Sequence, residues 1–194
     1  MDVEDWKLSK LHEIQDIWSP NLPIPFDSIC GLGNYLIARF NAGSKLYFIG
    51  NGGSAAESMH LAAEFTGHCI KDHRPLPAIS LSDSQSAITA IANDYGFEAI
   101  FQRQVEAFVR SGDTLVCLST SGRSKNVLSA AKLAASHGAR VLLWTGLTPV
   151  EPQEGIEIWN TTSKTVSRIQ EIHLLWGHLL AEYVEVFLEK TPNT

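Results

Sequence analysis

The sequence predicts a doubly wound α/β sandwich, a parallel five-stranded sheet flanked by helices and preceded by helices at the N-terminus. From Lys45 onward, short continuously apolar runs alternate with stretches of helical period. Runs so uniformly apolar do not suit a sheet with one wet face; they require cover on both sides. Two of the runs end in loops of small residues that lead straight into helices, and parallel sheets present their ligand sites at such carboxyl strand ends.

In chain order, residues 1–43 read as two helices, 5–18 and 27–41, separated by the breaker Ser19-Pro20-Asn21-Leu22-Pro23-Ile24-Pro25. They are expected to pack on the core or on another subunit. Strands are read at 46–49, 78–81, 114–118, 140–144 and 156–159, and helices at 54–66, 84–91, 98–109 and 124–137, with a long one over 165–189. Asn93-Asp94, followed by Tyr95-Gly96, interrupts the helical pattern as a turn would. No internal repeat or long linker divides the chain. The 194 residues suit one domain, a helical segment 1–43 ahead of an α/β core and C-terminal helix at 44–190.

Charge and composition remove several classes of function. Fifteen Lys+Arg against 21 Asp+Glu leave a formal charge of -6, and no basic run offers a stripe for a phosphate backbone, so nucleic acid is not an expected partner. The opening Met1-Asp2-Val3-Glu4-Asp5 is acidic where a signal peptide is basic. No apolar stretch approaches the ~20 residues of a membrane span, and a cytoplasmic protein is expected. Cys30, Cys69 and Cys117 are odd in number and far apart, which suits neither a disulfide framework nor a CxxC pair; Cys117 reads as a core thiol.

The chemistry is expected at the two strand-end loops. After Tyr47-Phe48-Ile49 comes Gly50-Asn51-Gly52-Gly53-Ser54, and after Val116-Cys117-Leu118 comes Ser119-Thr120-Ser121-Gly122-Arg123-Ser124. A small-residue turn entering a helix N-terminus offers backbone N–H groups, hydroxyls and a positive dipole end, which suits a phosphate monoester. Ser119, Thr120, Ser121 and Ser124 are the candidate phosphate binders. Neither loop carries the Gly-Lys-Ser/Thr of a nucleotide P-loop, and Gly31-Leu32-Gly33 lacks the third glycine of a dinucleotide site.

The helix after the first loop holds His60 and Glu64 at i, i+4, a pair that either grips a metal or supplies a base beside a sugar. The long C-terminal helix adds Gln170, Glu171, His173 and His178. His173 and His178 lie ~140° apart around a helix and do not readily share a ligand, whereas Gln170 and His178 are ~80° apart and ~12 Å along the axis. Geometry on one helix leaves the choice of histidine open.

Four motifs together resemble the SIS-domain phosphoheptose isomerases, in order and spacing: Gly50-Asn51-Gly52-Gly53-Ser54-Ala55-Ala56-Glu57-Ser58-Met59-His60-Leu61-Ala62-Ala63-Glu64-Phe65-Thr66-Gly67, then Ala90-Ile91-Ala92-Asn93-Asp94-Tyr95-Gly96, Ser119-Thr120-Ser121-Gly122-Arg123-Ser124 and Arg168-Ile169-Gln170-Glu171-Ile172-His173. The resemblance spans about residues 44–188 and implies a flavodoxin-like three-layer sandwich. It implies substrate contacts at Asn51, Gly52, Gly53, Glu64, Asn93, Asp94, Ser119, Thr120, Ser121, Ser124 and Gln170. It further implies one zinc ion per subunit on His60, Glu64, Gln170 and His178, Glu64 and His178 as the acid–base pair, a homotetramer, and conversion of sedoheptulose 7-phosphate to D-glycero-D-manno-heptose 7-phosphate.

The chain departs from the family pattern in three places. Leu147-Thr148-Pro149-Val150-Glu151-Pro152 replaces a glycine-rich turn, Ser167 stands where an acidic residue often precedes Arg-Ile-Gln, and His68 occupies a position that is often Arg. Two other readings stand beside the isomerase. A non-catalytic SIS adaptor, of the replication initiator-associating type, would lack the four-residue metal set. A sugar-sensing transcription factor would need a helix-turn-helix domain, for which residues 1–43 are too short and too acidic.

Overall fold

The computed structural model describes residues 2–17 and 25–188. Two helices come first, α1 (Val3–Ile17) and α2 (Phe26–Asn41). Then β1 (Leu46–Gly50), α3 (Gly53–Thr66), β2 (Ala78–Ser80), α4 (Gln85–Tyr95), a single 3-10 turn at Phe97–Ala99, and α5 (Gln102–Phe108) follow. The chain continues through β3 (Thr114–Leu118), α6 (Lys125–Ser136), β4 (Arg140–Thr145), β5 (Ile156–Asn160) and α7 (Val166–Leu188). The expected breaker at 19–24, Trp18 and Glu189 fall outside the described residues.

All five strands are parallel, in the order β2-β1-β3-β4-β5. Strand residues alternate between two apolar clusters. Leu46, Phe48, Val116, Leu118, Leu142 and Trp144 face α2, α3 and α7. Tyr47, Ile49, Leu115, Cys117, Val141 and Leu143 face α5 and α6. Both sides of each central strand are thus buried, which is the physical reason their sequences are apolar without alternation. Because the order reverses between β1 and β3, their following helices leave on opposite faces and open a crevice at the carboxyl ends of these two strands.

Two expectations need correction. Asn93 and Asp94 do not break a helix: α4 runs through them to Tyr95 and ends at Gly96, whose φ of 87° is the left-handed conformation that glycine adopts without strain. The helix expected over 98–109 is split into the 3-10 turn Phe97–Ala99 and α5, with buried Ile100 and Phe101 between them.

The helix face next to the crevice depends on two close approaches to α7. A Cβ on Gly33 of α2 would lie 2.4 Å from the Tyr183 ring, and a Cβ on Gly177 would lie 2.2 Å from the Leu61 side chain of α3. Helix α1, by contrast, leaves Val3, Trp6, Leu8, Leu11 and Ile14 exposed. Gly177→Ala is therefore expected to overpack the α3/α7 contact and lower stability by about 1–3 kcal/mol, measured by urea unfolding.

Candidate active site

The first loop is built by glycines at points of contact. Gly50 lies so close to the Ser54 carbonyl that a Cβ there would stand 2.4 Å from it, Gly52 has φ 56°, and a Cβ on Gly53 would meet Gln170 Nε2 at 2.3 Å. The second loop turns at Gly122, with φ 63°, and is tied to the exit of β4: Ser119 N–H donates to the Trp144 carbonyl (3.0 Å) and Gly146 N–H to the Thr120 carbonyl (3.1 Å). Ser119 Oγ donates to Ser124 Oγ at 3.3 Å, and Arg123 N–H donates to Ser121 Oγ at 3.2 Å. Ser124 holds the N-cap position of α6, yet its side chain caps no N–H of that helix.

A reciprocal amide pair joins the two loops. Asn51 Nδ2 donates to Asn126 Oδ1 and Asn126 Nδ2 donates to Asn51 Oδ1, both at 2.9 Å. Asn126 is buried and was absent from the sequence reading; its only sequence signal is an amide one residue into the helix after the serine loop. Asn93 and Asp94 lie exposed in the last turn of α4, with Asn93 Nδ2 donating to Asp94 Oδ1 at 2.8 Å.

Helices α3 and α7 bring a second set of groups together. His60 Nε2 lies 2.8 Å from His178 Nε2 with the rings edge to face, and 3.4 Å from Glu64 Oε1. One ligand atom from each of His60, Glu64 and His178 falls within 4.8 Å of the others. Gln170 stands at the other end of this helix pair, its Nε2 3.5 Å from Ser54 Oγ, six residues or ~9 Å along α3 from His60. The carboxamide thus borders the first loop, and three of the four expected ligands converge.

His173 has a different position from His178. It is fully buried, its ring 6.1 Å from that of Trp144 and 5.9 Å from that of Trp176. Burial pushes its pKa down to about 4, with the Thr145 backbone pulling the other way, so it is a neutral core histidine at pH 7. Burial and the nearby Glu64 carboxylate push the Cys69 thiol up to about 12, so it stands as a thiol. Cys117 is the core thiol that the sequence suggested.

The atypical 147–152 turn sits beside the serine loop. Val150 Cγ2 lies 2.2 Å from where a Cβ on Gly122 would be, so this departure braces the candidate phosphate side. Ser167 and His68 are exposed.

The SIS domain family matches residues 11–146, which include both loops and His60 to Glu64 and stop short of α7. A phosphoheptose isomerase of Mycobacterium tuberculosis is 44% identical over 155 residues, 79% of this chain and 79% of that protein. The chain belongs to the SIS domain family, among the phosphoheptose isomerases. The solved structure of a phosphoheptose isomerase from Neisseria gonorrhoeae superposes with a TM-score of 0.80 at 32% identity, covering 95% of this chain and 97% of that one. One from Francisella tularensis gives a TM-score of 0.82 at 28% identity over 95% and 96%.

In this phosphoheptose isomerase homologue one acid escaped the sequence reading. Glu57 is three residues before His60 and seven before Glu64, so the three project from one face of α3. It is buried, and neither of its carboxylate oxygens has a hydrogen-bond partner by strict geometry. Burial raises its pKa to about 7, partly opposed by the Ser54 hydroxyl. A folded-state pKa above the unfolded value means that the carboxyl favours folding fully below pH 4.5 and loses that contribution as pH rises through 7. Glu57→Gln should consequently gain stability over the parent chain by about 1–3 kcal/mol at pH 8 and by little at pH 4.5, read from urea melts at the two values.

Proposed function

We infer that the protein interconverts sedoheptulose 7-phosphate and D-glycero-D-manno-heptose 7-phosphate, as an aldose–ketose isomerase. The carrying observation is the convergence of His60, Glu64 and His178 on α3 and α7, with α3 leading directly out of the first strand-end loop and Gln170 of α7 bordering that loop. The family relationship supports the same activity. The adaptor reading loses ground because His60, Glu64, Gln170 and His178 are all in place.

The substrate phosphate is placed on the 119–124 loop, where hydroxyls of Ser119, Thr120, Ser121 and Ser124 and the N-terminus of α6 gather. Asn51, Gly52 and Gly53 of the first loop and Gln170 of α7 are assigned to the sugar, as are Asn93 and Asp94 of α4. Aldose–ketose interconversion removes a proton from carbon next to a carbonyl and moves protons between O1 and O2. Glu64 is assigned the carbon-bound proton and His178 the oxygen-bound ones. Both are half-buried, and Glu64 offers a carboxylate 3.4 Å from His60.

Two imidazoles whose Nε2 atoms lie 2.8 Å apart, with a carboxylate oxygen 3.4 Å from one of them, form a nitrogen-and-oxygen donor set that suits zinc. His60, Glu64 and His178 would hold the ion, with Gln170 as the fourth group. When bound, the ion would supply a Lewis-acidic charge for the carbonyl chemistry. Glu64 therefore has a double assignment, since a carboxylate on a metal is a weaker base.

We also place the active form as a cytoplasmic homotetramer with sites at subunit boundaries. Apolar side chains at Trp6, Leu8 and Leu11 of α1, and Tyr95 and Phe97 beside Asn93 and Asp94, are exposed in the protomer and suit burial against further copies. No described helix is long and apolar enough to cross a membrane.

Purified protein incubated with C5 to C7 ketose phosphates should form aldose phosphate from the C7 substrate; absence of any such product would refute the assignment. Glu64→Gln, checked for full zinc content, should lower kcat by at least ~10²-fold, whereas Ser121→Ala should mainly raise KM, because a phosphate contact is made equally in ground and transition states. Light scattering at micromolar concentration should return a mass near four 21.3 kDa chains, and a monomeric mass would overturn the tetramer.

A further inference from the structure

The same pair of helices that brings His60, Glu64 and His178 together carries a buried carboxylate with an unusual set of partners. Glu185 lies seven residues after His178, within ~20° of the same stripe of α7 and ~10.5 Å further along. Its carboxylate accepts hydrogen bonds from three successive backbone N–H groups in the segment that leaves α3: Cys69, Ile70 at 2.9 Å and Lys71 at 3.1 Å. His73 Nε2 adds a contact of 3.2 Å to Oε1, and its Nδ1 lies 2.6 Å from the Arg74 carbonyl. The Glu185 and His73 side chains are 1% and 2% exposed, so the carboxylate and the imidazole are buried.

Three successive N–H groups make a small anion-binding concavity, and a carboxylate seated there forms charge-assisted bonds. Burial alone would raise the Glu185 pKa, but the N–H groups of Cys69, Ile70 and Lys71, with His73, hold it below the usual carboxylate range. Loss of this acceptor would leave all three N–H groups without the protein partner they share.

Its place in the fold gives the cluster a consequence. Helices α3 and α7 run in the same direction and meet at three levels. Gln170 lies against Gly53 and Ser54 at the start, Gly177 against Leu61 in the middle, and Glu185 against the segment 69–71 at the end. His60 and His178 sit at the second level, and Glu64 lies one turn of α3 beyond it, toward the third. The glycine contact allows the helices to approach but has no direction, because it is apolar packing. The Glu185 cluster is the directional polar contact nearest the convergent side chains on the far side.

We propose that Glu185, with His73, is a positioning residue that holds α3 and α7 in the relative placement at which His60, Glu64 and His178 can share one metal ion. This rests on the zinc reading given above. Glu185 touches neither the ion nor substrate; it acts through the segment that follows Glu64 by five residues and through the helix that carries His178.

The test uses the full chain, stripped of metal by a chelator and titrated with Zn²⁺ against a chromophoric competitor, then with Co²⁺ to record its visible absorption. In Glu185→Gln one acceptor oxygen becomes an NH₂ group facing backbone donors. The zinc dissociation constant should rise ~10–100-fold, the scale seen for lost outer partners of metal ligands, and the Co²⁺ band should change. KM for the sugar phosphate should stay within ~3-fold, because the strand-end loops are untouched. His73→Gln keeps the three backbone bonds and should weaken zinc binding by a smaller factor, giving a second reading if Glu185→Gln does not fold. Val141→Ala, a core truncation on the opposite face of the sheet, lowers stability and should leave zinc affinity unchanged. If parent and both cluster variants bind zinc within ~3-fold of one another, the positioning role is overturned and the metal site stands. If the parent binds no zinc, the metal reading fails and this role fails with it.

Discussion

The close parallel approach of α3 and α7 is the constraint on which the site depends. Neither helix holds a complete set of groups: α3 supplies His60 and Glu64, and α7 supplies His178 and Gln170. A Cβ on Gly177 or Gly53 would intrude on its neighbour at 2.2 or 2.3 Å, so the helices come together only where the sequence places no side chain. Helix packing elsewhere tolerates interaxial distances of ~8–10 Å set by larger residues. Here the small residues convert helix contact into side-chain convergence.

The sheet determines where that convergence faces. Reversal of strand order between β1 and β3 leaves their carboxyl ends side by side without a connection across them, and each ends in a loop of small residues. The Asn51–Asn126 amide pair ties the first loop to the start of α6 after the second, so the two sides of the crevice are held as one unit. The turn at 147–152, unusual in sequence, packs Val150 onto Gly122 and supports the second loop from the β4 side.

Burial separates two histidines that are five residues apart. His173 enters a cluster with Trp144, Trp159 and Trp176, in which an imidazolium would be poorly solvated, while His178 faces His60 near the surface. Angular spacing on a helix says that such residues point differently. It does not say which direction is the interior.

The strands, their parallel order class and the two loops were legible in the sequence, because burial on both faces forces continuously apolar runs and because sharp exits from strands demand glycine and serine. The end of α4 was misread at Asn93-Asp94, since the local turn preference of those residues is weaker than the helix that continues to Gly96. Resemblance pointed to His178 and Gln170, but only the packed structure puts His178 beside His60 and leaves Gln170 against Ser54. Glu57, Asn126 and Glu185 escaped the sequence reading because a single acid or amide carries no periodic signal; their burial and partners arise from contacts 75 to 116 residues apart in the chain, or from the fold as a whole. Sequence by itself determined what repeats locally, namely helix period, strand hydrophobicity and loop composition. Convergence of groups from α3 and α7 was decided by tertiary packing alone, since it depends on which face of each helix meets the other and how closely the glycines allow them to approach.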